Sequence, residues 1–126
     1  MRTRLQYCLV GIFLMACVVS GAEPPFAWVP SYPGAHHVTN STIKKSDQLI
    51  YKLEFEVDDK GVAVRAFYEK KLKAAGLSII SKGGITGNSW DLIGDSQDGT
   101  RSIDVNGNAQ SQGVNVRITA RRSASD

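Results

Sequence analysis

The chain has 126 residues, room for one domain, with 15 Lys and Arg against 12 Asp and Glu, a formal charge of +3 and a pI near 9.0. Hydrophobic residues at 42% and charged residues at 21% are globular values, which exclude a disordered, collagen-like or multidomain chain.

Residues 1–22 read as an export signal. Arg2 and Arg4 form a short positive region, an apolar run extends from Cys8 to Val19 with only Gly11 interrupting, and Ser20-Gly21-Ala22 supplies the small residues of a cleavage site. Twelve apolar residues rise only ~18 Å as a helix, too short for a hydrocarbon core of ~30 Å. An alternative processing route exists, because Leu14-Met15-Ala16-Cys17 resembles the lipobox of bacterial lipoproteins. In that route residues 1–16 are removed and Cys17 carries the lipid anchor. Ordinary cleavage after Ala22 suits the extended apolar run better.

Export changes the charge balance. Arg2 and Arg4 leave with the signal, taking the 15 basic side chains to 13 against the same 12 acidic ones, a net of +1. A near-neutral domain has no broad attraction for polyphosphate, so nucleic acid is not expected as a partner. Cys8 and Cys17 both lie in the leader, so the folded part must rely on its core rather than on a disulfide.

Residues 23–35 form a Pro- and aromatic-rich leader to the domain proper, which is expected over 36–122 with a frayed tail at 123–126. All four prolines lie between Pro24 and Pro33, which forbids a helix and predicts an extended segment. Trp28 and Tyr32 then serve either as a partner-binding strip or as anchors packed along the edge of the core, and the second reading is preferred.

The clearest strand is Leu49 to Val57. Leu49, Tyr51, Leu53, Phe55 and Val57 alternate with Ile50, Lys52, Glu54 and Glu56, giving one buried and one wet face. A weaker strand is expected from His37 to Ile43, with a turn at Ser46-Asp47. A helix follows from about Asp59 to Ala75. Asp58 is its expected N-cap and Val57 with Val62 its hydrophobic staple. Val64, Phe67, Tyr68, Leu72 and Ala75 form the apolar stripe, and Gly76 fits the left-handed position after the last turn.

The remainder reads as a β-meander. Strands are expected over Leu77–Lys82, Ser89–Ile93, Arg101–Val105 and Val114–Arg121. They are joined by a flexible loop at Gly83–Asn88, a hairpin turn at Asp98-Gly99 and a polar loop at Asn106–Gly113. The fold class is therefore α+β, an antiparallel meander sheet with one helix on its apolar face, in the order (β)βαββββ.

Catalytic motifs are not found. A Ser-His-Asp arrangement would have to use His36 or His37, the only histidines, and no Gly-x-Ser-x-Gly elbow exists. As a metal pair they would need ligands from elsewhere, since neighbours on a strand point to opposite faces. Gly83-Gly84-Ile85-Thr86-Gly87 opens a strand rather than the helix that a phosphate cradle needs. Asp95-Ser96-Gln97-Asp98-Gly99 lacks the spacing of a calcium loop. Asp58-Asp59 is explained by capping, and Glu54 with Glu56 by a wet strand face. No cofactor or metal site is expected. The runs Lys44-Lys45, Lys70-Lys71-Lys73 and Arg121-Arg122 read as solvated faces.

One family resemblance covers residues 32–77. Tyr32-Pro33-Gly34-Ala35, Phe55-Glu56-Val57-Asp58, Val64, Phe67-Tyr68, Leu72 and Gly76-Leu77 are similar to a group of small exported bacterial envelope proteins, many of them lipoproteins of unknown function. The group shares a "YPGA" opening and an "FY-x3-L-x3-G" helix. The resemblance implies an α+β envelope domain and carries over no catalytic residues. The expected function is a non-enzymatic binding or accessory module of the envelope or periplasm, membrane-attached only through a lipid anchor. It would engage an envelope protein or polymer through Trp28 and Tyr32, through the outward sheet residues Lys52, Glu54, Arg117 and Thr119, or by strand addition at a sheet edge. The alternative is a small hydrolase of envelope material using His36 or His37.

Overall fold

The computed structural model describes residues 26–83 and 88–124; the leader with Cys8 and Cys17, and most of the Gly83–Asn88 loop, lie outside the described residues. Six strands and one helix follow in the order β1 His36–Lys45, β2 Gln48–Val57, α1 Gly61–Ala74, β3 Leu77–Lys82, β4 Ser89–Ser96, β5 Arg101–Ala109 and β6 Val114–Ser123. The strands form one antiparallel sheet in the spatial order β1-β2-β6-β5-β4-β3. The coarse α+β class thus stands, as a mostly β domain with a single helix. The meander runs from β3 to β6, and the β1–β2 hairpin joins it through β2 beside β6.

Alternation builds the core. Leu53, Phe55 and Val57 of β2 share one face with Val114, Val116, Ile118 and Ala120 of β6, Ile103 and Val105 of β5, and Trp90 and Leu92 of β4. Helix α1 packs over β3, β4 and β5 and buries Val64, Tyr68 and Leu72 against that face. The area over β2 is closed by the N-terminal segment. Phe26 is buried and stacks on Tyr51 at 5.2 Å, and Tyr32 meets Phe67 edge-on at 4.8 Å. The Tyr68 hydroxyl donates to the Pro30 carbonyl at 2.9 Å, fixing that segment to the helix.

Tyr32-Pro33-Gly34-Ala35 is a type II turn in outline. Pro33 takes the second position, Gly34 has φ +82°, and the Ala35 N–H donates to the Tyr32 carbonyl at 3.1 Å. Only glycine reaches that φ without strain. The turn delivers the chain directly into β1.

Several boundaries move from their sequence-based positions, each for a physical reason. Helix α1 starts at Gly61 rather than Asp59, and its N-cap is Lys60, with no side-chain cap. Asp58 is therefore not the cap, and Val62 is 57% exposed, so no staple forms. The Asp59 carboxylate instead accepts from the Lys60 N–H at 2.8 Å and from the Tyr32 hydroxyl. Strand β4 continues through Ser96 and β5 through Ala109, so residues 106–109 are strand rather than loop. The cause is Trp90, whose indole lies over Gly107: a Cβ on Gly107 would sit 2.3 Å from Trp90 Cε2. That glycine is a gap for a large side chain, not a turn. Strand β6 reaches Ser123, whose N–H donates to the Thr100 carbonyl at 3.0 Å.

Candidate functional site

With one sheet face covered by α1 and the N-terminal segment, the other is left to solvent. It carries Lys52, Glu54 and Glu56 of β2, Asn115, Arg117, Thr119 and Arg121 of β6, and Asp104 and Asn106 of β5. A shallow groove of about 450 Å³ lies on this face across β1, β2 and β6, lined by Thr39, Ser41, Lys52, Glu54, Arg117 and Thr119 among others. Arg117 Nε lies 3.4 Å from Glu54 Oε2, an exposed pair that positions the guanidinium more than it stabilises the fold. Further along, partial burial and the neighbouring Asp91 hold the Asp104 carboxyl above its ordinary range.

Of the four residues singled out for partner binding, the structure brings Lys52 and Arg117 together in this groove. Trp28 and Tyr32 lie on the opposite side, packed against the core. Trp28 sits 5.9 Å from Phe26 with the Arg101 guanidinium 5.4 Å over its ring. Tyr32 is held between Phe67 and Asp59, and burial followed by the Asp59 contact pushes its phenol up to about 12.

A second constellation lies where β1 begins. His37 has φ +53°, a left-handed conformation uncommon outside glycine, and the β1–β2 register shifts between His36 and Thr39. This bulge cancels the alternation that would send adjacent side chains to opposite faces. His36 Nδ1 and His37 Nδ1 are 3.2 Å apart, and Glu56 Oε1 lies 3.0 Å from His37 Nδ1 and 3.9 Å from His36 Nδ1. On its other side His36 presents Nε2 to Asp58 Oδ1 at 3.2 Å. The three donor atoms on His36, His37 and Glu56 converge within 4.8 Å, a geometry suited to a cation or to proton exchange between imidazole and carboxylate.

Sequence reasoning treats Glu56 as wet strand face and Asp58 as helix cap, and so misses their meeting with the histidines. The Asp95–Gly99 stretch is a hairpin turn. Asp98 accepts from Ser96 Oγ at 2.7 Å, from the Thr100 N–H at 3.1 Å and from Thr100 Oγ1 at 2.8 Å, which lowers its carboxyl to about 2. Its carboxylate serves the turn. No helix among the described residues is long and apolar enough to cross a membrane. No known protein family, curated protein or solved structure matches this chain.

Proposed function

We propose that this chain is an exported domain of the bacterial envelope that acts by binding, as a module or accessory subunit, through the uncovered face of its sheet. The observation that carries the reading is the asymmetry of the sheet. One face is closed by α1 and the aromatic N-terminal segment, while the other is open, polar and concave around Lys52, Glu54, Arg117 and Thr119. The export signal in residues 1–22, or lipid attachment at Cys17, supports an envelope location, as does the YPGA resemblance. A mixed-charge groove with hydroxyl groups fits a polar envelope polymer or a peptide with both charge signs.

The test is co-sedimentation of the purified domain with isolated envelope material. Wild type should be retained, the Lys52→Glu/Arg117→Glu variant should be lost, and Lys70→Glu on the helix should behave as wild type. Equal loss from Lys70→Glu, or no retention of wild type, contradicts the reading. A second reading, hydrolysis of envelope material, is favoured by the contacts of His36 and His37 with Glu56 and Asp58. Its signature would be release of soluble fragments that stops with His36→Ala or His37→Ala.

A further inference from the structure

We propose that His36, His37 and Glu56 form a binding site for a divalent transition-metal ion of the zinc type, oriented by Asp58. The donor triangle carries the assignment. Its edges are 3.2, 3.0 and 3.9 Å and average about 3.4 Å. Zinc bonds of about 2.0–2.1 Å in a tetrahedral shell set neighbouring donors about 3.3–3.4 Å apart. Two edges fall within about 0.4 Å of that spacing and the His36–Glu56 edge is about 0.5 Å longer, so the three atoms approximate one face of a zinc tetrahedron, with the fourth position toward solvent.

Proton bookkeeping points the same way. Asp58 faces His36 Nε2 at 3.2 Å, so the ring proton of neutral His36 belongs on Nε2 and the lone pair on Nδ1 faces His37 and Glu56. A carboxylate behind a histidine is the usual outer support of a metal-bound imidazole, fixing its tautomer and raising its basicity. Two ring nitrogens and a carboxylate oxygen face one volume there. A divalent ion satisfies all three at once. Two imidazoles and one carboxylate select a zinc-type ion over calcium or magnesium, which prefer all-oxygen shells.

The backbone is shaped for this purpose. The bulge and the left-handed His37 bring adjacent side chains to one face, and such strained residues persist where the surroundings hold them. The His37 side chain is 76% exposed, so the site exchanges its ion with solvent rather than sealing it in. It lies just past the end of the groove along the same two strands, since Glu56 follows Glu54 along the open face of β2. A bound ion would add positive charge at that end of the groove. The proposal does not depend on the groove's having a partner.

The test is titration of tag-free protein with zinc against a chromophoric chelator, since these are the only two histidines in the chain. One equivalent should bind and raise the melting temperature. His36→Ala, His37→Ala and Glu56→Gln should each weaken binding by more than the ~10–100-fold typical of an outer-shell loss. Asp58→Asn should weaken it by about tenfold while leaving the melting temperature of the zinc-free protein unchanged. In ¹⁵N spectra, zinc should shift the Nδ1 signals of both rings. Stoichiometry well below one, ring signals that do not respond, or affinity unchanged in the folded His37→Ala variant would overturn the assignment.

Discussion

Tyr68 and Gly107 show how single residues decide this fold. Tyr68 is fully buried, with its hydroxyl on the Pro30 carbonyl and its ring near Phe55 and Tyr32. Tyr68→Phe keeps the packing and strands that carbonyl, so chemical denaturation should show a loss of about 1 kcal/mol. Gly107→Ala forces a methyl group against the Trp90 indole and should cost about 1–3 kcal/mol, with the Trp fluorescence of the native state altered. Burial of Tyr68 is legible from the helical stripe. The role of Gly107 is not, because Asn106-Gly107-Asn108 has turn composition and only the cross-strand pairing with Trp90 reveals the gap.

At the scale of elements, β2 and the stripe of α1 follow directly from period-two and period-3.6 patterning. The start of α1 does not. Asp58 and Asp59 both have cap chemistry, yet each is engaged elsewhere, Asp58 with His36 and Asp59 with Tyr32. The residue left at the cap is Lys60, with extended φ −79° and ψ 147° and no side-chain acceptor. Lys60→Asp should therefore add an acceptor for the first-turn N–H groups and stabilise the protein by about 1 kcal/mol, read from thermal unfolding. An unchanged melting temperature would mean that those groups already have partners. The bulge in β1 was equally hidden: strand propensity describes His36 to Lys45 as a regular edge, and nothing in the composition announces the left-handed His37.

For the whole molecule, the sheet's strand order was the part beyond local reading. Patterning identifies strands and faces, but the passage of α1 from β2 to the far edge at β3, which leaves β6 beside β2, depends on how all the apolar faces close together. That closure recruits the aromatic N-terminal segment and places all three described tyrosines against or within the core. Burial is the largest cause raising each phenol above its ordinary value of 10.0, with Tyr32 reaching about 12. A raised folded-state phenol contributes stability in full below pH 10, because both states are then protonated. It loses that contribution as pH rises from 10 towards 12, where only the unfolded chain ionises. Phenolate absorbance should accordingly appear together with alkaline unfolding. Titration near pH 10 with the circular dichroism intact would contradict this packing.

The sheet's two faces make the central claim testable in the producing cell. A photoreactive amino acid placed at Ser41 or Thr119, in the groove, is compared with one at Ala66 or Lys70, on the helix. Adducts of one discrete species at the groove positions and none at the helix positions are the predicted result. Adducts confined to the helix, or equal labelling at all four positions, would contradict the assignment of function to the open face.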